Sequence, residues 1–261
     1  MGRKKINRVG EKKTNNFGSE IKITEYRHAN DIDIFFPEYD WTAKHAIYKQ
    51  FKNGSISCPY EPRLYGFGYI GDGKYTTGIS TKHNKEYIAW NGMLRRCYDP
   101  KWCEKHSTYE KCEVCEEWLN FQIFAEWYEK NYYEIPGQRM ELDKDILIKN
   151  NKIYSPDTCI IAPQIINRLF VKDSSNRGEY PIGLYYDKNS KKIKVQCWVY
   201  ENGKGKQEHL GLFPIEQEAE AFYIYKKTKE KSIKNLAEEY KNLIPQSLYD
   251  AMCNYEVDYD D

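Results

Sequence analysis

LDKDILIKNNKIYSPDTCIIAPQIINRL, residues 142–169, is the stretch on which the fold turns. It opens with Leu142–Leu147, an apolar run carrying charges, which reads as a short strand. A polar turn around Lys149–Lys152 and a loop through Tyr154–Thr158 follow. Cys159–Ala162 reads as a second short strand, and Pro163 opens a helix, a position where the missing N–H of proline would have no partner anyway. The local expectation is therefore β-β-α. Its polar groups fall at three places: Asp143, Lys144 and Asp145 on the first strand, Asp157 and Thr158 in the loop, and Asn167 on the helix. A unit of this size that turns carboxylate and amide oxygens inward can hold one hard divalent cation. Such a cation activates water and stabilises charge on a phosphate. The plainer alternative is a hairpin with Asp143 and Asp145 facing solvent and Asn167 on the helix surface, since short motifs recur by chance.

Two helices are expected upstream. Trp90, Met93, Leu94 and Cys97 recur at i, i+3, i+4 and i+7 within Tyr87–Tyr98, and Trp118, Phe121, Phe124, Ala125 and Tyr128 repeat the pattern within Trp118–Tyr133. Between and beside them Cys97, Cys103, Cys112 and Cys115 are spaced C-x5-C-x8-C-x2-C, with His106 nearby. A C-x2-C turn supplies two ligands of a tetrahedral zinc site. A structural Zn²⁺ would use Cys112 and Cys115 with two of Cys97, Cys103, His106 and Cys159. The competing reading is that these are small buried hydrophobes.

Downstream, Lys172–Gly178 (KDSSNRG) reads as a linker. Beyond it a strand, a DKNS turn and a second strand place Ile193, Val195, Cys197 and Val199 on one face and Lys194, Gln196 and Trp198 on the other. HLGLF gives a third strand. A long helix opens at Pro214, with Ala219, Phe222, Ile233, Leu236, Ala237 and Tyr240 as its inner face. Gln246–Met252 reads as a terminal helix before an acidic end.

At the other end, Ile21 and Ile23, then Ile32, Ile34 and Phe36, alternate with polar residues on either side of a turn at RHAN, the mark of half-buried strands. GFGYIGDG resembles a phosphate loop only superficially, lacking a following helix start and a Lys-Ser/Thr pair. The first 13 residues carry six Lys/Arg against one Glu, a composition for a solubilising tail or for a phosphate-contacting arm. The chain as a whole has a net charge of only +1, so binding to a polyanion has to come from local patches. No run of 18 apolar residues occurs, so no membrane span is expected. Eight Cys without a secretory leader point to a reducing, cytoplasmic setting.

The fold class expected is α+β: a small N-terminal β module, a central helix pair with a ββα core, and a C-terminal three-stranded sheet with one long helix. The domain boundaries that go with it are 1–19 (basic arm), 20–78 (β module), 79–171 (helix pair and ββα core), 179–244 (sheet and helix) and 245–261 (terminal helix and acidic tail).

Two resemblances follow from these motifs. The central stretch resembles the HNH (ββα-metal) nuclease core of phage homing endonucleases, whose pattern is roughly LD+D…YSP-x-x-C…N, and the likeness spans Trp90–Asn167. It implies a phosphodiester hydrolase using Mg²⁺ or Mn²⁺, with Asp143 and Asn167 as metal ligands and Thr158 near the loop asparagine. Asp145 stands beside Asp143 in the same catalytic stretch. Lys144 stands where the family's general-base histidine usually stands, and a lysine of ordinary pKa is protonated at pH 7. Tyr180–Tyr240 resembles the APETALA2-type DNA-binding domain in Gly183-Leu184-Tyr185-Tyr186, Lys192–Trp198, Leu210-Gly211-Leu212-Phe213 and Glu218-Ala219…Tyr223. That likeness implies a sheet face in the major groove of double-stranded DNA, with Tyr186, Lys188, Lys192, Lys194, Gln196 and Trp198 as contacts. Lysines replace the family's arginines, which weakens bidentate reading of guanine. The combined expectation is a phage endonuclease or nickase acting in a bacterial host cell. The alternatives are a DNA-binding regulator that has lost catalysis, or a protein that inhibits host defence.

Overall fold

The computed structural model describes residues 7–79, 82–171, 179–201 and 204–259, without the side chains of Ser107 and Glu201. The chain is mixed α+β, with 35% of residues helical and 28% in strands, so neither class dominates. It divides into two compact units, Met1–Lys130 and Asn131–Asp261. The Lys172–Gly178 linker lies outside the described residues.

The first unit begins with an antiparallel meander of β1 (Lys12–Thr14), β2 (Glu20–His28), β3 (Asp31–Phe36) and β4 (Trp41–Ala46). Alternation puts Ile21, Ile23, Ile32, Ile34 and Phe36 fully inside. Part of the stretch read as a basic arm is thus an edge strand: Lys12–Thr14 pairs with Glu20–Lys22. Residues 1–6 lie outside the described residues. The Asn53-Gly54 signal is the end of helix α1 (Tyr48–Asn53), with Gly54 at φ 68°, a conformation glycine adopts without steric cost.

Helices α2 (Lys85–Tyr98) and α3 (Phe121–Asn131) bury the aromatic stripes read from the sequence. Trp90, Trp118, Phe121 and Phe124 are wholly inside, and the Trp90 indole donates to the Trp118 carbonyl at 2.7 Å. The second helix starts later than the periodicity predicts. Glu116–Leu119 is a 3₁₀ turn, and Asn120 is extended.

In the second unit β5 (Met140–Asp143) pairs antiparallel with β6 (Ile160–Pro163), and α4 (Gln164–Asn167) follows directly. The order β-β-α holds, with both outer elements shorter than the sequence predicts. Asp143 ends its strand because Oδ1 accepts the N–H groups of Asp145 and Ile146 at 2.7 and 2.8 Å, a side-chain turn that competes with the ladder. Helix α4 is a single turn continued as 3₁₀ over Arg168–Phe170, too short to be stable unless packed.

The packing comes from the C-terminal half. β7 (Leu184–Asp187), β8 (Lys192–Glu201) and β9 (Lys204–Phe213) form an antiparallel sheet in that order, and the long helix α5 (Glu218–Tyr240) covers one face. Ile193, Val195, Cys197 and Val199 face inward. The helix phase corrects part of the expected inner face. Ala221, Tyr225 and Lys229 are buried in its first half, while Ala219 is exposed and Phe222 only half-buried. Helix α6 (Gln246–Cys253) closes the unit. Ile160, Ala162, Ile166 and Leu169 of the hairpin share one core with Ile233, Leu236 and Ala237 of α5 and with Leu248 and Met252 of α6. The hairpin is therefore held by residues about 70 positions downstream. No helix among the described residues is long and apolar enough to cross a membrane.

Candidate functional site

The site is built around β5. Glu141 and Asp143 are two residues apart, so their side chains leave the same face of the strand, about 7 Å apart along it. Glu141 reaches α4. Its Oε2 accepts from the Asn167 amide at 2.8 Å and its Oε1 from the Gln164 amide at 2.7 Å, with the Arg139 guanidinium 3.5 Å away. The strand acid that holds Asn167 is thus Glu141, a residue that sequence reasoning missed. Its position two before Asp143, in phase on the same face, is the signal that marks it.

Asp143 spends Oδ1 on two backbone N–H groups, while Oδ2 accepts nothing among the described residues. Burial pushes its carboxyl up, against the pull of those N–H groups. Asn167 donates through Nδ2, and its Oδ1 is likewise not used as an acceptor among the described residues. Both leftover atoms are hard oxygens of the kind Mg²⁺ and Mn²⁺ take.

Lys144 does not fit the role of base. Its side chain is 5% exposed, and its ammonium donates to Asp145 Oδ1 at 2.5 Å and to the Asn151 carbonyl at 2.8 Å. An ammonium fixed between two acceptors is a charged strut of the loop and has no lone pair to offer water. Asn151 completes the same staple, donating to the carbonyls of Lys144 and Ile153 at 2.9 and 2.6 Å. Asp145, half of the expected catalytic group, is thereby the counter-ion of Lys144. Thr158 closes the loop from the other side, donating to the Ile153 carbonyl at 2.7 Å and accepting from the Ser155 N–H. Asp157 is exposed at the turn.

The cysteines are not gathered as a zinc set. Among the described residues, only Asp31, Asp33 and His45 bring three His, Cys, Asp or Glu ligand atoms within 4.8 Å of one another. Cys103 donates its thiol to the carbonyls of Arg96 and Cys97, and burial pushes the Cys115 thiol up, which opposes the thiolate that zinc needs. Cys112 and Cys159 are buried, and Cys97 is half-buried on α2. All eight cysteines are thiols.

On the sheet, the face turned away from α5 carries Lys192, Lys194, Gln196 and Trp198 from β8, opposite Leu212, His209 and Gln207 of β9. The register corrects one expected contact. Tyr185 lies opposite Lys194, whereas Tyr186 lies opposite Ile193 and belongs to the other side of the sheet, although its ring is 43% exposed at the edge. Lys188 sits in the exposed turn that Asp187 caps by accepting from Asn189 and Ser190.

This face does not end at the sheet. A cavity of about 300 Å³ is lined by Gln138, Gln164, Ile165 and Arg168 on the hairpin side and by Trp198, Tyr200 and Gly205 on the sheet side. The two stretches that carry the sequence motifs therefore meet in one cleft of the second unit. Gln138, Gln164 and Arg168 carry no motif signal and are recognisable only from this convergence. No family model, no curated protein and no solved structure matches the chain.

Proposed function

We propose that the second unit binds double-stranded DNA across the outer sheet face and hydrolyses one phosphodiester at the hairpin, as an HNH-like nickase or endonuclease joined to an APETALA2-like sheet. In this reading Asp143 and Asn167 hold Mg²⁺ or Mn²⁺, which supplies charge stabilisation at the phosphate and lowers the pKa of water. Glu141 orients the Asn167 amide. Lys192 and Lys194 contact phosphates, and Gln196 and Trp198 face the bases. The observation that carries the proposal is the shared cleft: Gln164, which shares Glu141 with Asn167, lines the same cavity as Trp198. The setting that goes with it is the cytoplasm of a phage-infected bacterium.

In this reading Lys144, at the position of the family's base, does not take the proton of the attacking water, because it is buried between Asp145 and the Asn151 carbonyl. Cleavage then depends on hydroxide and rises with pH, by roughly tenfold per unit where the chemical step limits. The same observation favours a second reading, a DNA-binding regulator that does not cut. Supercoiled plasmid incubated with the protein and Mn²⁺ separates the two. Relaxation that disappears in Asp143→Ala supports the nickase. A mobility shift with no relaxation at any pH rejects it and leaves the regulator, and the absence of both signals rejects DNA as the partner.

A further inference from the structure

The cleft between α4 and the sheet has a chemistry that phosphodiester hydrolysis does not require. We propose that it receives a single unpaired nucleobase of the bound DNA, turned out of the duplex beside the phosphate at the hairpin. The proposal rests on the duplex-binding reading above and narrows its substrate to DNA with an extrahelical nucleotide.

Trp198 forms one wall. Its ring is 48% exposed, stands edge-on to Tyr200 with centroids 6.4 Å apart, and lies across Gly205. A Cβ added at Gly205 would come within 2.8 Å of the indole nitrogen, so only glycine lets the indole lie this close to the strand. An indole backed in this way and open to solvent is a platform on which a base can stack.

The facing wall is polar and unevenly satisfied. Gln138 donates its amide N–H to the Tyr240 hydroxyl at 3.2 Å, and Gln164 donates to Glu141 at 2.7 Å. Both therefore retain a carbonyl oxygen as an acceptor. Arg168 is exposed, and its guanidinium pairs with no described residue. Two acceptors beside a planar donor fork complement the edge of a nucleobase, where exocyclic N–H groups alternate with ring and carbonyl acceptors. A phosphate in the same place would meet Arg168 but also two carbonyl oxygens, which repel it.

Size argues the same way. A volume of about 300 Å³ lies at the lower end of small-ligand pockets and admits one base, not a stretch of helix. In a duplex the base-pairing edge is occupied, so the base must leave the stack to be read, most cheaply where it is already unpaired. Because Gln164 and Asn167 share Glu141, the seated base lies beside the proposed cation ligands.

Fluorescence-anisotropy titrations with three duplexes of one sequence test this: fully paired, with one extra unpaired nucleotide, and with an abasic residue at that bulge. The abasic duplex keeps the kink and removes the base. Expected is roughly tenfold tighter binding to the bulged base than to the abasic bulge, a ratio erased in Trp198→Ala. Equal affinity for those two duplexes overturns the cleft proposal and leaves duplex binding intact; failure to bind any duplex overturns both. With the unaltered protein, 2-aminopurine at the bulge reads the stacking directly: quenched emission on binding supports the proposal, and unchanged emission overturns it.

Discussion

At the start of β3, Asp31 and Asp33 gather with His45 from β4, a set of three potential metal ligands. At the end of β5, Asp143 stands alone on its strand face with Glu141. By composition the first corner suits a cation, yet its carboxylates are already taken. The Arg27 guanidinium lies among the first set, 2.7 Å from Asp31 and 2.5 Å from Asp33, and holds both carboxyls below the usual carboxylate range. The His45 ring nitrogen is 3.0 Å from Asp31, and the His45 N–H donates to Asp33. That corner already has its cation. Asp143 meets no guanidinium: burial pushes its carboxyl up, two backbone N–H groups and the neighbouring Lys144 pull it down, and one of its oxygens accepts nothing among the described residues. The two corners differ in partners: carboxylates beside a guanidinium are spoken for, whereas a carboxylate held by backbone N–H groups keeps a lone pair.

The largest expected effect is on cleavage: Asp143→Ala should lower Mn²⁺-dependent plasmid relaxation at least roughly a hundredfold, the scale of removing charge stabilisation at a phosphate. Retained activity would remove the hairpin from the chemistry. Next, Lys144→Met should destabilise the second unit by roughly 1–3 kcal/mol in urea denaturation, because Asp145 and the Asn151 carbonyl lose a buried donor. If Lys144 were instead a base, the variant would lose cleavage and keep its stability. The paired substitution Lys192→Ala/Lys194→Ala should lower the slope of log K against log salt for DNA by roughly 2, with little change in sequence preference.

The smallest expected effect is at Arg27. In Arg27→Gln, Asp31 and Asp33 lose the guanidinium that depresses them. Depressed carboxyls add stability above their unfolded pKa and lose it as pH falls through the folded value. The melting temperature of the first unit should therefore drop at pH 7, by an amount that shrinks toward zero as the pH is lowered into the strongly acid range. Millimolar Ca²⁺ or Mg²⁺ should raise the melting temperature of the variant at pH 7 and leave that of the natural corner unmoved. A response of the natural corner would show that Arg27 does not fill it.

The strand faces were legible because burial alternates with the chain itself: Ile21 and Ile23, Ile32 and Ile34, and Ile193, Val195, Cys197 and Val199 all lie inside. Element ends were less so. Strand β5 stops at Asp143 because one carboxylate captures two N–H groups, and Trp118 lies in a 3₁₀ turn although it continues the helical stripe. The role of single side chains was not legible: Lys144 became a strut and Tyr186 fell on the other side of its sheet.

By itself the sequence determined the α+β class, the β-β-α order, and the three-stranded sheet with its long helix, since each depends on the period of apolar residues within one segment. Which lone pairs and charges stay available was decided only in three dimensions. Glu141 finds Asn167 across 26 residues, Gln138 finds Tyr240 across 102, and the hairpin meets Trp198 in one cleft. Such pairings depend on how segments pack, and no local period encodes them.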